Sequence, residues 1–316
     1  MQKHIILLPE VVAKETEDCL IAGGCNIKRG RGLDRATLID DLQGCAAVIV
    51  RVACIDHEVM ETCPELKVIA KHGVGYDNIN INAAQLMGKR VTYTPYANTL
   101  SVAELTFTLI LACARRLPML LDAYRAGEYV QKDAFGAIEI RGKLLGLVGL
   151  GRIAREVAYM ARMGFGMQVC AFDPFTSNTQ WPQDVTKINT LEELFGISDF
   201  ISLHIPGTPE NKKLINAHAF QLMKPTAYLI NTARGTIIDT DALVNALKNG
   251  AFAGAALDVC DPEPYPKDGE LFNLPQVILT PHCGAATEDA MVRMGVTAAE
   301  DILSVLNGCE PKYPIV

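Results

Sequence analysis

The sequence has no paired-cysteine motif and no excess of basic charge. Its ten cysteines are spread singly, without a C-x-x-C spacing, which indicates reduced thiols and predicts neither a disulfide framework nor a metal site. The formal net charge of −7 and the aromatic fraction of 6%, with the aromatics scattered along the chain, argue against nucleic acid and anionic membranes as partners. We therefore expect any anion site to be local.

Long apolar runs are also missing. No stretch is long enough to cross a bilayer, and the apolar segment near the N-terminus is too short for a signal peptide. Together with the unpaired cysteines, these absences predict a cytoplasmic protein whose main partner is a small molecule.

What the sequence does contain is an alternation of apolar, strand-like runs with helical stretches. The runs occur near residues 4–8, 47–52, 67–70, 90–93, 144–148, 167–172, 199–204, 227–231, 254–259 and 277–280. This alternation favours an α/β fold with doubly wound parallel sheets, and 316 residues suit two domains. A long amphipathic segment over about residues 101–127 would lead into the second domain, and a helix over 287–307 would return to the first.

A glycine-rich turn follows the run at residues 144–148. Gly149, Gly151 and Ala154 fill the small-residue positions of a G-x-G-x-x-G/A turn, which lets the backbone approach a pyrophosphate and the next helix pack closely. The following strand ends at Asp173, whose carboxylate can bind an adenosine ribose and would repel a 2′-phosphate. The bare glycine pattern also suits a connection without a ligand. Strand, turn, helix, strand and terminal acid together predict NAD, not NADP, as the cofactor.

Three polar residues follow later strand-like runs. Arg234 stands in a loop before a glycine, Glu263 follows residues 254–259, and His282 follows residues 277–280. Reducing a 2-oxo acid with NADH requires a cation beside the carbonyl, which suits Arg234, and an acid for the forming alkoxide, which suits His282. Glu263 would hydrogen-bond the other ring nitrogen and fix the tautomer. Each residue alone would more often be structural, but strand ends of a parallel sheet converge on one edge.

These segments resemble the D-isomer-specific 2-hydroxyacid dehydrogenases over nearly the full length of the chain. The motifs in chain order are the turn with Val74 and Gly75, the segment from Asn98 through Ser101, the glycine turn, Asp173, the His204-Ile205-Pro206 loop, the loop from Asn231 to Gly235, the segment from Asp258 to Pro264, and the segment around His282. The resemblance implies two Rossmann-like domains with a cleft between them and a homodimer. The substrate domain would comprise residues 1–98 plus 289–316, and the NAD-binding domain residues 99–288.

The resemblance also implies a role for individual positions. Arg234, Glu263 and His282 would be catalytic, and the amides of Val74 and Gly75 would join Arg234 in binding the substrate carboxylate. Asp258 would hold the nicotinamide carboxamide. The implied cofactor-binding residues are Gly149, Gly151, Arg152, Ile153, Asp173, His204, Pro206, Thr232, Asp258 and Ser101. Cys283 stands where an aliphatic residue is more usual. We interpret it as a buried, inert thiol, with a redox-sensitive thiol as the alternative.

Within the family, Arg51 and Asn98 resemble the D-3-phosphoglycerate dehydrogenases, in which an arginine at a strand end meets the substrate phosphate. The polar residues usual after that arginine are here Val52 and Ala53, so a solvated cation is the alternative for Arg51. We favour 3-phosphoglycerate and 3-phosphohydroxypyruvate as substrates, with glyoxylate, hydroxypyruvate or broader 2-oxo acids as the alternative. The end of the sequence soon after its last predicted helix suggests a short form without a C-terminal regulatory domain. An NAD-sensing, corepressor-like binding protein is a candidate of another class.

Overall fold

The computed structural model describes residues 4–129 and 136–316. It divides into two compact units. Unit 1 comprises Met1–Thr99 and Ala285–Val316, and unit 2 comprises Leu100–Gly284. The prediction of an α/β fold with two parallel sheets is confirmed, since each unit is built on one sheet whose strands are all parallel. The functional assignment of the two domains stays a prediction.

Unit 1 contains a five-stranded sheet. Its strands are β1 (Ile5–Leu8), β2 (Asn26–Arg29), β3 (Ala47–Val50), β4 (Val68–Lys71) and β5 (Arg90–Thr92), in the order β2-β1-β3-β4-β5. Its helices are α1 (Lys14–Ala22), α2 (Arg35–Leu42), α3 (His57–Thr62), α4 (Ile81–Leu86) and, near the end of the chain, α11 (Glu288–Leu306). The strand order changes direction between β1 and β3, and such a switch point is where open α/β sheets bind ligands.

Unit 2 contains a seven-stranded sheet in the order β12-β11-β10-β9-β6-β7-β8. Its strands are β6 (Leu144–Val148), β7 (Gln168–Phe172), β8 (Thr186–Lys187), β9 (Phe200–Leu203), β10 (Tyr228–Asn231), β11 (Gly254–Leu257) and β12 (Val277–Leu279). Its helices are α5 (Thr99–Ala114), α6 (Leu117–Arg125), α7 (Arg152–Tyr159), α8 (Leu191–Ile197), α9 (Ala217–Leu222) and α10 (Thr240–Lys248). The switch point of this sheet lies between β6 and β9.

Side-chain caps set the start of many helices. Asp34, Asn80, Asn216, Asp239 and Thr287 each stand at an N-cap and accept a hydrogen bond from a backbone amide of the first turn. These caps satisfy amides that have no partner inside the helix. The central strands are buried on both faces, which explains their continuous apolar runs.

The amphipathic segment predicted over residues 101–127 differs from the structure, which has two helices there. Arg116 adopts a left-handed conformation with φ +47° between α5 and α6, and this interrupts the helix because side chains rarely adopt that region. Two strands, β2 and β8, were not predicted from the sequence. Both are edge strands with mostly exposed or half-exposed polar residues, so neither has the apolar run that marks a buried strand.

Candidate active site

The predicted site residues of unit 2 gather at the carboxyl edge of its sheet. Gly149 follows β6 and His204 follows β9, the two strands on either side of the switch point. Gly149 has φ +91°, and a Cβ there would lie 2.7 Å from the carbonyl oxygen of His204. Only glycine therefore fits this turn, because any side chain would be strained and would collide with the neighbouring backbone.

Helix α7 begins directly after the glycine turn and points its N-terminus at this edge. Gly151 is the N-cap and carries no side chain of its own, and a Cβ at this position would meet no atom within 4 Å. Arg152 and Ile153 lie in the first turn of α7, where the backbone N–H groups point out of the end of the helix. The N–H groups at a helix N-terminus and the positive end of the helix dipole favour a phosphate group. The open space beside Gly151 therefore fits the pyrophosphate of a dinucleotide.

Asp173, at the end of β7, has a carboxylate that is already held in place. It accepts hydrogen bonds from the Leu150 amide (2.8 Å), the Phe175 amide (2.8 Å) and both the amide and hydroxyl of Thr176 (3.1 Å each). Burial raises the pKa of Asp173. The hydrogen bonds from Leu150, Phe175 and Thr176 together lower it by more, so the pKa lies below its ordinary value. The group is therefore a fixed negative charge beside the glycine turn.

The loop after β9 carries His204 and Pro206. The ring Nε2 of His204 lies 2.9 Å from the hydroxyl of Ser202, and burial lowers the pKa of His204 to about 4. The carbonyl of Pro206 accepts a hydrogen bond from Asn211 at 2.9 Å. A neutral imidazole thus lines the switch point. Ser202 was not predicted from the sequence. A serine in a buried apolar strand, two residues before the histidine and on the same face, would have indicated it.

Arg234 stands in a loop that Asn231 builds. The Asn231 side chain donates to the carbonyl of Arg234 (2.9 Å) and accepts from the amide of Ala233 (3.0 Å). A Cβ at Gly235 would lie 2.0 Å from the backbone of Cys260, so the loops after β10 and β11 contact each other through a residue without a side chain. This contact brings the arginine loop against the segment that carries Asp258 and Glu263.

Thr232, in the same loop, is held by a second threonine that the sequence analysis missed. The hydroxyl of Thr106, on α5, lies 2.8 Å from the Thr232 hydroxyl and donates to the carbonyl of Val102. Ser101 is buried in the same helix. The signal for Thr106 was weak, because one threonine inside a helix of apolar residues is common.

His282 and Glu263 form the hydrogen-bonded pair that the sequence predicted. The ring Nδ1 of His282 lies 2.5 Å from Oε1 of Glu263, and both side chains are nearly half exposed. His282 has φ +52°. Asp258 is buried beneath this segment and accepts hydrogen bonds from Thr280, Cys283 and Gly284. The carboxylate leaves Nε2 of His282 as the ring nitrogen that can exchange a proton with a substrate.

The predicted substrate residues lie in unit 1 and form a second group. Arg51 follows β3, and Val74 and Gly75 follow the neighbouring strand β4, so these residues share one edge of that sheet. Asn98 is buried near the end of the first segment of this unit. The amide of Gly73 donates to the Thr94 hydroxyl at 2.9 Å, which fixes the turn that precedes Val74.

The amides around Arg51 have a hydrogen-bond partner that was not predicted from the sequence. The carboxylate of Glu10, just after β1, accepts hydrogen bonds from the amides of Arg51 (2.7 Å), Val52 (2.7 Å) and Ala53 (3.4 Å). The Arg51 guanidinium donates to the carbonyl of Val11 at 3.1 Å. The anion-binding amides at the switch point of unit 1 are therefore filled by a side chain of the same unit.

Among residues 4–129 and 136–316, there is no group of three or more histidine, cysteine or acidic side chains arranged to hold a metal ion. No helix in these ranges has the length and apolar character needed to span a membrane.

Several known proteins are similar to this chain. Residues 107–284 match the family described as "D-isomer specific 2-hydroxyacid dehydrogenase, NAD binding domain". The chain is 38% identical over 304 residues to a D-3-phosphoglycerate dehydrogenase of Archaeoglobus fulgidus, covering 96% of this chain and 57% of that protein. It is 41% identical over 286 residues to a glyoxylate reductase of Thermococcus litoralis, covering 87% of this chain and 84% of that protein.

A solved structure of a protein from Thermus thermophilus is similar throughout, with a TM-score of 0.90 and 39% identity over 99% of this chain and 100% of that one. The chain spans only about half the length of several curated phosphoglycerate dehydrogenases that it matches.

Proposed function

The chain belongs to the D-isomer-specific 2-hydroxyacid dehydrogenase family, and we propose that it interconverts a small D-2-hydroxy acid and its 2-oxo acid with NAD. The observation that carries this proposal is the His282–Glu263 pair, 2.5 Å apart, at the same sheet edge as the glycine turn and the loop of Arg234. A proton donor, a fixed cation and a phosphate-binding helix end are the parts that this reaction requires.

The roles of the chain's own residues follow from this arrangement. NAD, when bound, supplies or accepts the hydride at the substrate carbon. His282 donates a proton from Nε2 to the carbonyl oxygen during reduction, while Glu263 hydrogen-bonds Nδ1 and stabilises the protonated ring. Arg234 provides positive charge for the substrate carboxylate and the carbonyl beside it. The amides of Val74 and Gly75 contribute further donors to that carboxylate.

We assign cofactor binding to the edge of unit 2. Asp173, held as a fixed charge by four hydrogen bonds, disfavours a 2′-phosphate and so favours NAD over NADP. The remaining residues of the proposed cofactor site are Gly149, Gly151, Arg152, Ile153, His204, Pro206, Thr232, Asp258 and Ser101.

The favoured substrate pair is 3-phosphoglycerate and 3-phosphohydroxypyruvate. Arg51 supports this choice, because it follows β3 at the switch point of unit 1 and shares an edge with Val74 and Gly75. A substrate with an anion at each end suits a cation near its carboxylate-binding turn. The similarity to proteins named D-3-phosphoglycerate dehydrogenase is consistent with the same choice.

One observation favours a second candidate, glyoxylate or hydroxypyruvate. The Glu10 carboxylate occupies the amides of Arg51, Val52 and Ala53, and Val52 presents an exposed apolar side chain beside them. A negative charge at this loop disfavours a phosphate. A glyoxylate reductase is among the similar proteins.

The experiment that decides between the candidates measures NADH oxidation with phosphohydroxypyruvate, hydroxypyruvate, glyoxylate, pyruvate and a branched 2-oxo acid, each beside an NADPH control. The Arg51→Ala variant should raise KM for phosphohydroxypyruvate by at least about tenfold and leave KM for hydroxypyruvate unchanged. Arg35→Ala, which removes an exposed arginine of the same unit, is the matched control. An unchanged KM in Arg51→Ala removes the phosphate assignment, and NADH binding without turnover of any substrate favours a binding protein.

We also propose a homodimer in the cytoplasm. Helix α6 has no buried residue, and its apolar side chains Leu117, Leu121 and Tyr124 are exposed. An apolar stripe of this kind supports a protein contact. A monomer by light scattering at micromolar concentration would contradict the dimer. All ten cysteines are free, which is consistent with a reducing compartment.

A further inference from the structure

The turn that carries His282 is tied to one buried carboxylate. Oδ1 of Asp258 accepts hydrogen bonds from the Thr280 hydroxyl (2.6 Å) and the Cys283 amide (2.9 Å), and Oδ2 accepts from the Gly284 amide (2.9 Å). The Cys283 thiol adds a weaker contact to Oδ1 at 3.4 Å. A carboxylate has about four acceptor positions, so residues 280–284 use most of the capacity of Asp258.

The backbone of His282 needs this support. Its φ of +52° lies in the left-handed region, which residues with a side chain adopt rarely and at a cost in free energy. The His282 amide donates to the main-chain carbonyl of Asp258 (2.8 Å) and to that of Thr280 (3.0 Å). Asp258 thus holds the histidine through its main chain and holds the residues on both sides through its carboxylate.

Three residues, Thr280, Cys283 and Gly284, donate hydrogen bonds to this carboxylate. A Cβ at Gly284 would lie 3.1 Å from Oδ2 of Asp258, so the glycine permits the close approach of its amide. Burial and the nearby Asp258 charge raise the pKa of Cys283, so its thiol keeps its proton and acts as a donor. Thr280 makes the shortest contact and is a hydroxyl donor from the end of β12.

We propose that Thr280 is a positioning residue for proton transfer: its hydroxyl fixes the Asp258 carboxylate, which holds the turn so that His282 meets Glu263. This inference rests on the proposed function of His282. It adds a second role to Asp258, which the proposed function also places in the cofactor site. If that carboxylate served mainly the cofactor, loss of its Thr280 contact would weaken NADH binding, whereas the positioning role predicts a loss in kcat.

The test compares Thr280→Val, which removes the hydroxyl, with Thr280→Ser, which keeps it. Thr108→Val is the matched control, because the Thr108 hydroxyl contacts only a carbonyl of its own helix among the contacts described. The measurements are kcat, the Kd for NADH by calorimetry, and the rate at which diethyl pyrocarbonate modifies His282 in the cofactor-free protein, followed by mass spectrometry from pH 5.5 to 8.

Thr280→Val should lower kcat by about tenfold, since a small misplacement of a catalytic group is costly. Its Kd for NADH should stay within about twofold, and the rate and pH profile of His282 modification should change. Thr280→Ser and Thr108→Val should match the parent protein in all three measurements.

The proposal is overturned if Thr280→Val keeps the parent kcat and modification profile, or if it weakens NADH binding while kcat is unchanged. Should Thr280→Val fail to fold, Thr280→Ala, which also removes the hydroxyl that contacts Asp258, replaces it in the same three measurements. If the parent protein turns over no 2-oxo acid, the proposed function fails, and the modification profile of the cofactor-free protein still decides whether Thr280 positions His282.

Discussion

The two units differ in what lies at the switch point of their parallel sheets. Both have a parallel sheet with a switch point, between β1 and β3 in unit 1 and between β6 and β9 in unit 2. In unit 2 the helix N-terminus at Gly151, after β6, opens on free space. In unit 1 the Glu10 carboxylate, after β1, accepts hydrogen bonds from the amides of Arg51 and Val52 after β3. Topology therefore selects the place for a ligand, and local side chains decide which of the backbone amides there are available to it.

The largest expected effect is the loss of the proton donor in unit 2. His282→Ala should lower kcat by about a hundredfold or more, because general acid catalysis contributes at least that much. Steady-state NADH oxidation with the best 2-oxo acid measures it. His218→Ala removes an exposed histidine of the same unit and should have no effect. Equal rates in His282→Ala and the parent would exclude His282 from the chemistry.

A second comparison concerns one histidine in each unit. Burial lowers the pKa of His72 in unit 1 and of His204 in unit 2 to about 4, and the positive charge of Arg51 adds to the effect at His72. Between pH 4 and pH 6.5, both rings are therefore neutral in the folded protein and protonated in the unfolded chain, where the ordinary pKa is about 6.5. Stability is therefore fully present above pH 6.5 and falls between pH 6.5 and 4.

Denaturant unfolding at pH 7, 5.5 and 4.5 measures this effect for each histidine. Each should contribute at most about 3 kcal/mol to the loss, from 1.36 kcal/mol per pKa unit. His72→Gln and His204→Gln should each show a shallower decline with falling pH than the parent protein. An identical decline in parent and variants would contradict the shifted pKa values.

The smallest expected effect tests the filled site of unit 1. Glu10→Ala should lower the free energy of unfolding by about 1.5–3 kcal/mol, the range for hydrogen bonds to a charged group. Because the amides of Arg51 and Val52 then lack a partner, inorganic phosphate should stabilise this variant more than the parent. Glu61→Ala, an exposed acid on α3, is the control. Equal responses to phosphate would show that the loop does not bind anions.

The sequence predicted the parts of the fold and site that depend on local patterns. Buried strands such as β6 and β10 have continuous apolar runs, and the turn at Gly149 has a fixed glycine spacing, so both were visible without coordinates. The pairing of Glu263 with His282 was predicted from residue types and strand ends. These features follow from the chemistry of neighbouring residues.

The remaining contacts join residues that are distant in the chain. Glu10 meets the amides of Arg51 across 41 positions, and Thr106 meets Thr232 across 126. No periodicity marks such pairs, because each depends on strand order and on the packing of a loop. The break between α5 and α6 was hidden for another reason, since Arg116 is a residue type that rarely adopts a left-handed conformation.

The most direct test of the open site in unit 2 is a calorimetric titration with NADH of the parent protein, Gly151→Ala and Gly164→Ala. Neither added Cβ would meet an atom within 4 Å, so both variants should keep the parent melting temperature. Gly151→Ala should weaken NADH binding by at least about tenfold, because its methyl group enters the space for the pyrophosphate, and Gly164→Ala should bind as the parent does. Equal NADH affinity in all three proteins would contradict the assignment of the cofactor to the N-terminus of α7.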